Sequence, residues 1–243
     1  MPEHCKAYDL YDAIDSFAPA VGRDTAILPL LNGMRHLEVL EQRFGPEAVL
    51  GGQCVISVAL DERGAINHLN EAHHLSFGER NKPSSARTLA IEATIAAARF
   101  ESRLSGQILH EMWEKWVFLA TLAGITCLMR ATVGDIVAAG GAELAAALLA
   151  ECAAIATNRG FAPSEAARQR SQATLTAPGS PMTASMLRDI ERGGPTEVEH
   201  VLGDLLRRGG SRDSAQSMLR AAYVHVAAYE ARRARSPPQP GAT

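Results

Sequence analysis

Residues 113–128 restrict the fold most strongly, because they are apolar on every side of a helix. One side follows the i, i+3, i+4, i+7 spacing, with Trp113, Trp116, Val117, Ala120, Gly124, Cys127 and Leu128. The other side is also apolar, with Phe118, Leu119, Leu122 and Ile125. Such a helix is normally buried in a bundle, and the uncharged run 117–129 is too short to span a bilayer. The sequence therefore predicts the central helix of a helical domain.

The flanking sequence predicts two domains. Later helices are expected at 142–159, 164–174, 180–191, 197–207 and 213–232. The first hundred residues mix helices (8–17, 37–44, 84–100) with strands, which are expected at 25–31, 49–60, 65–69 and 75–78 and not after Pro83. We expect an α/β domain with short antiparallel strands over 1–105, an all-helical domain over 106–235, and a disordered tail over 236–243.

Composition excludes several classes of protein. The net charge of −3 gives no general attraction to nucleic acid or to an anionic membrane. The N-terminus has no apolar signal region, so a cytoplasmic location is expected. The four cysteines lack C-x-x-C spacing, which argues against a metal site or a disulfide framework. Ser57, Ser84 and Ser85 show no nucleophile-elbow pattern, so a hydrolase is unsupported.

Lys115 is the first candidate for chemistry. Only three of the 24 basic residues are lysines, namely Lys6, Lys82 and Lys115. Near the start of an apolar helix, desolvation would lower the pKa of Lys115 and suit it to act as a general acid or base. The alternative is that its ammonium group simply reaches solvent from the first turns of the helix.

Two further segments are candidates. After a break at residues 193–195, Thr196 and Glu199 predict a capping box at the start of a helix. Glu197 then either stabilises the helix dipole, or pairs with Lys115 or holds a substrate hydroxyl. Asn32-Gly33 ends a predicted strand, where α/β sheets bind ligands, although a plain turn explains it too. No G-x-G-x-x-G loop follows a predicted strand.

Together these segments resemble the ketopantoate reductase (2-dehydropantoate 2-reductase) family over residues 4–232. Lys6-Ala7-Tyr8 is similar to its "VKAY" element, residues 28–34 to its "NG" element, and residues 50–79 to its following β region. Residues 114–128 resemble its "KW/KL…LTAL" helix. Ser185-Met186, Asp189 and Thr196-Glu197 match its "SM..D…G..TE" signature at the right spacing.

The resemblance implies NADPH-dependent reduction of a 2-oxo acid, ketopantoate, in pantothenate biosynthesis. Lys115 would protonate the carbonyl oxygen, and Glu197 would position the substrate hydroxyl and interact with the lysine. Ser185 would bind the carboxylate side of the substrate. Asn32 and Lys6 would line the cofactor and substrate cleft. The implied fold is a Rossmann-type domain followed by a helical domain like the C-terminal domain of 6-phosphogluconate dehydrogenase.

The sequence departs from the family in two ways. Leu119, Ala123 and Met182 stand where asparagines are expected, which puts pantoate specificity in doubt. The first strands and the glycine-rich loop have no counterpart, so we expect a partial Rossmann-type domain that binds NADPH poorly. Two alternatives therefore stay open: a reductase of another 2-oxo acid, and a non-catalytic helical module. Helical domains of this kind often bury a surface between two copies of the chain, so a homodimer is one expected assembly.

Overall fold

A computed structural model describes residues 6–61, 63–210 and 217–235, which form two compact units divided between Met112 and Trp113. The division falls inside a helix because its first turn packs on the first unit. A Cβ atom on Gly51 would lie 2.7 Å from Ile108 and 3.3 Å from Met112. The domain boundary near residue 105 stays a prediction, and the tail 236–243 lies outside the described residues.

The first unit begins with two helices, which are followed by two strands, a helix and a third strand. A short 3₁₀ turn at Ala7–Asp9 leads into α1 (Leu10–Phe17), and α2 covers Arg35–Phe44. The strands are β1 (Gly51–Leu60), β2 (Ile66–Gly78) and β3 (Glu101–Leu104), with α3 (Ala86–Ile95) between the last two. The predicted helices near 8–17 and 37–44 are thereby confirmed.

The described strands of this unit form one sheet in the order β1-β2-β3. β1 and β2 pair antiparallel from Gly51 opposite Gly78 to Leu60 opposite Ile66, with an irregularity between Ile56 and Val58. β2 is one strand, where the sequence predicted two short ones, because β1 pairs with it on both sides of that irregularity. β3 pairs parallel to β2, so the prediction that strands end at Pro83 is wrong. The crossover through α3 places this four-residue strand beside β2, a long-range pairing with little local signal.

The strand predicted at 25–31 is wrong as well. Ile27 alone forms a parallel bridge with Val49, since its N–H donates to Ala48 O (2.8 Å) and its carbonyl accepts from Leu50 (2.9 Å). The apolar run is therefore positioned beside the sheet without becoming a continuous strand.

The described part of the second unit is helical. Its central helix is α4 (Ile108–Met129), which begins in the first unit. It is followed by α5 (Val133–Ala138), α6 (Ala142–Asn158), α7 (Glu165–Leu175), α8 (Ser185–Glu191), α9 (Asp204–Gly209) and α10 (Met218–Arg235). A π-helical turn, Glu199–Gly203, precedes α9. The sequence did not predict α5, and residues 213–216 of the predicted last helix lie outside the described ranges.

α4 is the core helix that the sequence predicted. By length and composition alone, its 22 residues could cross a membrane, although the uncharged run 117–129 within it is shorter than a bilayer span requires. However, 67% of its most apolar window is buried within the fold, as is typical of a core helix. At Gly124, a Cβ atom would lie 2.8 Å from Leu148 of α6 and 3.5 Å from Ala222 of α10. The missing side chain therefore allows close helix packing.

Candidate functional site

Lys115 lies half-buried on α4 between two residues that are fixed by hydrogen bonds. Glu114 Oε1 accepts the backbone N–H of Ser164, the residue that caps α7, at 2.8 Å. Trp116, only 1% exposed, donates its indole N–H to the carbonyl of Val201 at 2.9 Å. The position from which the Lys115 side chain extends is thus held on both sides.

The Trp116 indole belongs to an aromatic cluster. Its ring lies 4.9 Å from that of Trp113, which stacks on Phe161 at 5.3 Å. The Arg208 guanidinium lies 5.6 Å from the Trp116 ring, and its Nε donates to the buried Asp204 carboxylate at 2.9 Å. This packing restricts the indole to the orientation that reaches Val201.

Glu197 is buried, with 8% of its surface exposed, directly before the helical turn that leads to α9. Its carbonyl accepts the N–H groups of His200 (3.0 Å) and Val201 (2.9 Å), so Glu197 caps the helix, which begins at Val198. Val201 is thus bonded both to Glu197 and to Trp116. This chain of bonds connects the helix that carries Lys115 with the segment that carries Glu197.

The predicted capping box at Thr196 and Glu199 is wrong. The helix starts one residue later, and the Glu199 carboxylate instead accepts from Tyr223 (2.6 Å) and Arg207 (2.9 Å). Thr196 Oγ1 is buried and has no hydrogen-bond partner in the described part of the chain. A buried hydroxyl without a partner is costly unless a ligand or water satisfies it. The Thr196 hydroxyl, next to Glu197 in the chain, is therefore able to bind a polar ligand or a water molecule.

Ser185 is the exposed first residue of α8. The preceding residue, Ala184, donates its N–H to Thr126 Oγ1 of α4 at 3.4 Å. Trp116 and Thr126 are ten residues apart on α4, about 15 Å along its axis. One helix thus fixes the segments that carry Glu197 and Ser185 and itself carries Lys115.

The three departures from the family pattern differ in their surroundings. Leu119 and Ala123 follow Lys115 at intervals of four on α4, so they share its side of the helix. Leu119 is half-buried and Ala123 is buried, whereas Met182 is 38% exposed in the loop before α8. The helix side next to Lys115 is therefore apolar.

Lys6 and Asn32 belong to the first unit. Lys6 is half-buried at the start of the first 3₁₀ turn, where its backbone N–H donates to the Asp9 carboxylate at 3.2 Å. Asn32 is half-buried in a turn just before α2, and the next residue, Gly33, has φ of +80°. A positive φ suits glycine, so the turn favours glycine at position 33.

The first unit also offers a buried amide oxygen. Gln53 Oε1 has no hydrogen-bond partner among the residues described. Ile27 runs parallel to Val49, and a Cβ atom on Gly52 would lie 3.0 Å from the Pro29 carbonyl. The segments at Ile27 and Val49 run parallel, and Asn32 and Gln53 come a few residues after these two positions in the chain. A buried acceptor suits a ligand with N–H groups, such as a carboxamide. These residues therefore fit the nicotinamide end of a cofactor, whereas residues 1–243 include no G-x-G-x-x-G loop for its pyrophosphate.

Sequence reasoning missed the residues that hold this arrangement together. A buried tryptophan requires a hydrogen-bond partner, which is a usable signal at Trp116, but Val201 lies 85 residues away. A groove of about 1030 Å³ between α6 and α7 was also missed. Alanine side chains line it together with Glu165 and Arg168, and it contains none of the five predicted site residues.

Comparison with known protein families places the chain clearly. The profile described as "Ketopantoate reductase PanE/ApbA C terminal" matches residues 107–230, and "Ketopantoate reductase PanE/ApbA" matches residues 4–82. The uncharacterized oxidoreductase YkpB of Bacillus subtilis is 35% identical over 229 residues, which cover 94% of this chain and 76% of YkpB.

Solved structures share the fold. A 2-dehydropantoate 2-reductase from Methylococcus capsulatus superposes with a TM-score of 0.82 at 25% identity, over 96% of this chain and 74% of that one. D-mandelate dehydrogenase, solved with NADH and anilino(oxo)acetate, also gives 0.82, at 16% identity over 95% and 75% of the two chains. The fold class that the sequence predicted, a Rossmann-type α/β part followed by a helical domain, is confirmed. The chain belongs to the ketopantoate reductase family, a family of oxidoreductases.

Proposed function

We propose that this chain is a reductase that converts a 2-oxo acid, ketopantoate or a related compound, into the 2-hydroxy acid with NADPH as the cofactor. The observation that carries the proposal is the bonded path from Trp116, next to Lys115, through Val201 to Glu197. It holds a lysine and a buried carboxylate on two segments that the family signature pairs.

Lys115 is the proposed general acid. The nicotinamide cofactor, when bound, supplies the hydride that adds to the carbonyl carbon. The Lys115 ammonium group donates a proton to the carbonyl oxygen, so the carbonyl becomes a hydroxyl and the lysine is left neutral. Solvent returns the proton to Lys115. The apolar side of α4 around Leu119 and Ala123 limits hydration of the ammonium group, which favours this transfer.

The other candidate residues bind and orient. Glu197 holds the substrate hydroxyl and steadies the charge of Lys115. Ser185 donates its hydroxyl to the substrate carboxylate. Asn32 and Lys6, both in the first unit, would hold the nicotinamide cofactor.

The apolar residues favour a second candidate within the same chemistry. A site that recognises a hydroxylated substrate depends on polar groups, and Leu119, Ala123 and Met182 supply none. A 2-oxo acid with an apolar side chain suits such a lining better. The fold shared with D-mandelate dehydrogenase is compatible with that substrate class.

The setting of the enzyme is also part of the proposal. Its partners are a small-molecule 2-oxo acid and a second copy of the chain in a homodimer, and its location is the cytoplasm. A role in pantothenate biosynthesis follows only if ketopantoate is the preferred substrate.

A substrate panel tests the function. The chain is assayed with NADPH and with NADH against ketopantoate, pyruvate and phenylglyoxylate, while oxidation of the reduced cofactor is followed. Because residues 1–243 contain no G-x-G-x-x-G loop, the cofactor concentration is raised until the rate stops rising. Oxidation that depends on a 2-oxo acid supports the proposal. Absence of such oxidation with every acid and both cofactors contradicts it and favours the non-catalytic helical module.

A further inference from the structure

We propose that Tyr229 and Glu230 of α10 are positioning residues that hold the backbone before Glu197, and so set the place of its carboxylate for the reaction. The inference rests on the proposed function. It concerns two residues that make no part of the family signature matched above.

Two hydrogen bonds carry the inference. The Tyr229 hydroxyl donates to the carbonyl of Gly194 at 2.7 Å, and Glu230 Oε1 accepts the backbone N–H of Thr196 at 2.7 Å. Two adjacent residues of α10 thus form hydrogen bonds to the backbone of Gly194 and Thr196, on either side of Pro195. We call this pair of bonds the α10 clamp.

The segment needs such a clamp. Residues 194–197 adopt neither helix nor strand. Gly193, directly before them, has φ of +74°, a conformation open to glycine at little cost and a natural pivot. Pro195 has no N–H to offer. The clamp therefore supplies the bonds that regular structure does not.

The clamp acts on Glu197 through the main chain. The clamped N–H of Thr196 is one residue before Glu197, whose carbonyl starts the next helix. Trp116 fixes that helix from the other side through Val201. The Glu197 carboxylate is thereby held between two anchors, one on α4 and one on α10.

The ionisation states suit these bonds. Burial raises the pKa of Tyr229, and the nearby Glu230 carboxylate raises it further, so the phenol stays protonated as a donor. The second carboxylate oxygen of Glu230 accepts from Arg233 Nε at 3.0 Å, which leaves Oε1 for Thr196.

Four variants test the clamp in the full chain. Glu230→Ala removes the acceptor, Glu230→Gln keeps an acceptor oxygen, and Arg233→Ala breaks only the ion pair at the other oxygen. Tyr229→Phe removes the hydroxyl that donates to Gly194. Each is measured for kcat and KM with the preferred 2-oxo acid, for thermal unfolding, and for hydrogen exchange of the amides at 196–201.

We expect Glu230→Ala to lower kcat/KM by about tenfold or more, mainly through kcat, and to speed exchange at 196–201 by a similar factor. Glu230→Gln and Arg233→Ala should stay within about twofold of the wild type in both measurements. Tyr229→Phe should show a smaller loss than Glu230→Ala.

Two results overturn the inference, and they differ from failure of the proposed function. If Glu230→Ala keeps wild-type kinetics and exchange, the clamp does not position Glu197. If Glu230→Gln loses as much as Glu230→Ala, the carboxylate charge and not the hydrogen bond matters, which also overturns it. A wild-type chain that reduces no 2-oxo acid defeats the function itself.

Discussion

The indole N–H of Trp116 donates to the backbone carbonyl of Val201 at 2.9 Å, between residues that are both buried. The bond joins α4, one residue after Lys115, to the π-helical turn that follows Glu197. π-helical turns are frequent at functional sites, where they redirect a side chain or a backbone group. This buried hydrogen bond therefore links the backbone next to Lys115 to the turn that follows Glu197.

Trp116→Phe is predicted to weaken both stability and turnover. The change removes the indole donor to the buried Val201 carbonyl, and loss of such a hydrogen bond costs about 0.5–1.5 kcal/mol of unfolding free energy. Denaturant titration measures this loss, and steady-state kinetics measures the accompanying fall in kcat. The matched control is Trp113→Phe, which makes the same side-chain change on the same helix and leaves the Trp116 indole N–H in place. Equal effects of the two substitutions would show that packing and not the hydrogen bond is responsible.

Leu119→Asn is predicted to shift substrate preference toward a hydroxylated 2-oxo acid. Leu119 lies about one turn after Lys115, at a position where the resemblance implies an asparagine, so an amide there would add a polar group beside the lysine. The ratio of kcat/KM for ketopantoate to that for pyruvate should rise about tenfold. Leu144→Asn, at an exposed position of α6, is the control and should leave the ratio unchanged. A ratio that stays constant in Leu119→Asn would remove this residue from the specificity argument.

The buried carboxylate of Glu79 predicts acid sensitivity of the first unit. Arg87 donates to both of its oxygens, at 2.8 and 2.7 Å, and these bonds hold the pKa of Glu79 below its ordinary value of 4.5. A lowered pKa contributes stability that is present above pH 4.5 and is lost as the pH falls through the value in the folded state. Glu79→Gln should therefore unfold more easily at neutral pH, with a smaller further loss on acidification. Parallel pH–stability curves for the variant and the wild type would contradict this role.

Patterns with a local cause were readable from the sequence. The period of α4 gave a buried helix, and the division between a mixed α/β part and a helical part is confirmed by the fold. The sequence predictions were wrong where pairing with residues far along the chain determines the secondary structure. β3 exists because α3 returns Glu101–Leu104 to the side of β2. The run at 25–31 forms no continuous strand, because its backbone pairs with the neighbouring segment only at Ile27, opposite Val49.

The candidate site shows the same limit. The motif match selected Lys115, Glu197 and Ser185 from their spacing. Their supports come from positions far along the chain, such as Val201 for Trp116 and Glu230 for Thr196. The start of this helix was predicted at Glu197 and lies at Val198, because the N–H of Thr196 binds Glu230 instead of entering a capping box. Long-range hydrogen bonds of this kind leave no periodic trace in a sequence.

The most direct test of the account is the turnover of Lys115→Ala. If Lys115 delivers the proton to the carbonyl oxygen, kcat should fall by about 100-fold or more, while the dissociation constant of NADPH in a fluorescence titration stays within about twofold. Lys82→Ala, at an exposed lysine, is the matched control and should retain wild-type turnover. Unchanged turnover in Lys115→Ala would contradict the account and assign Lys115 to a solvent-directed surface role.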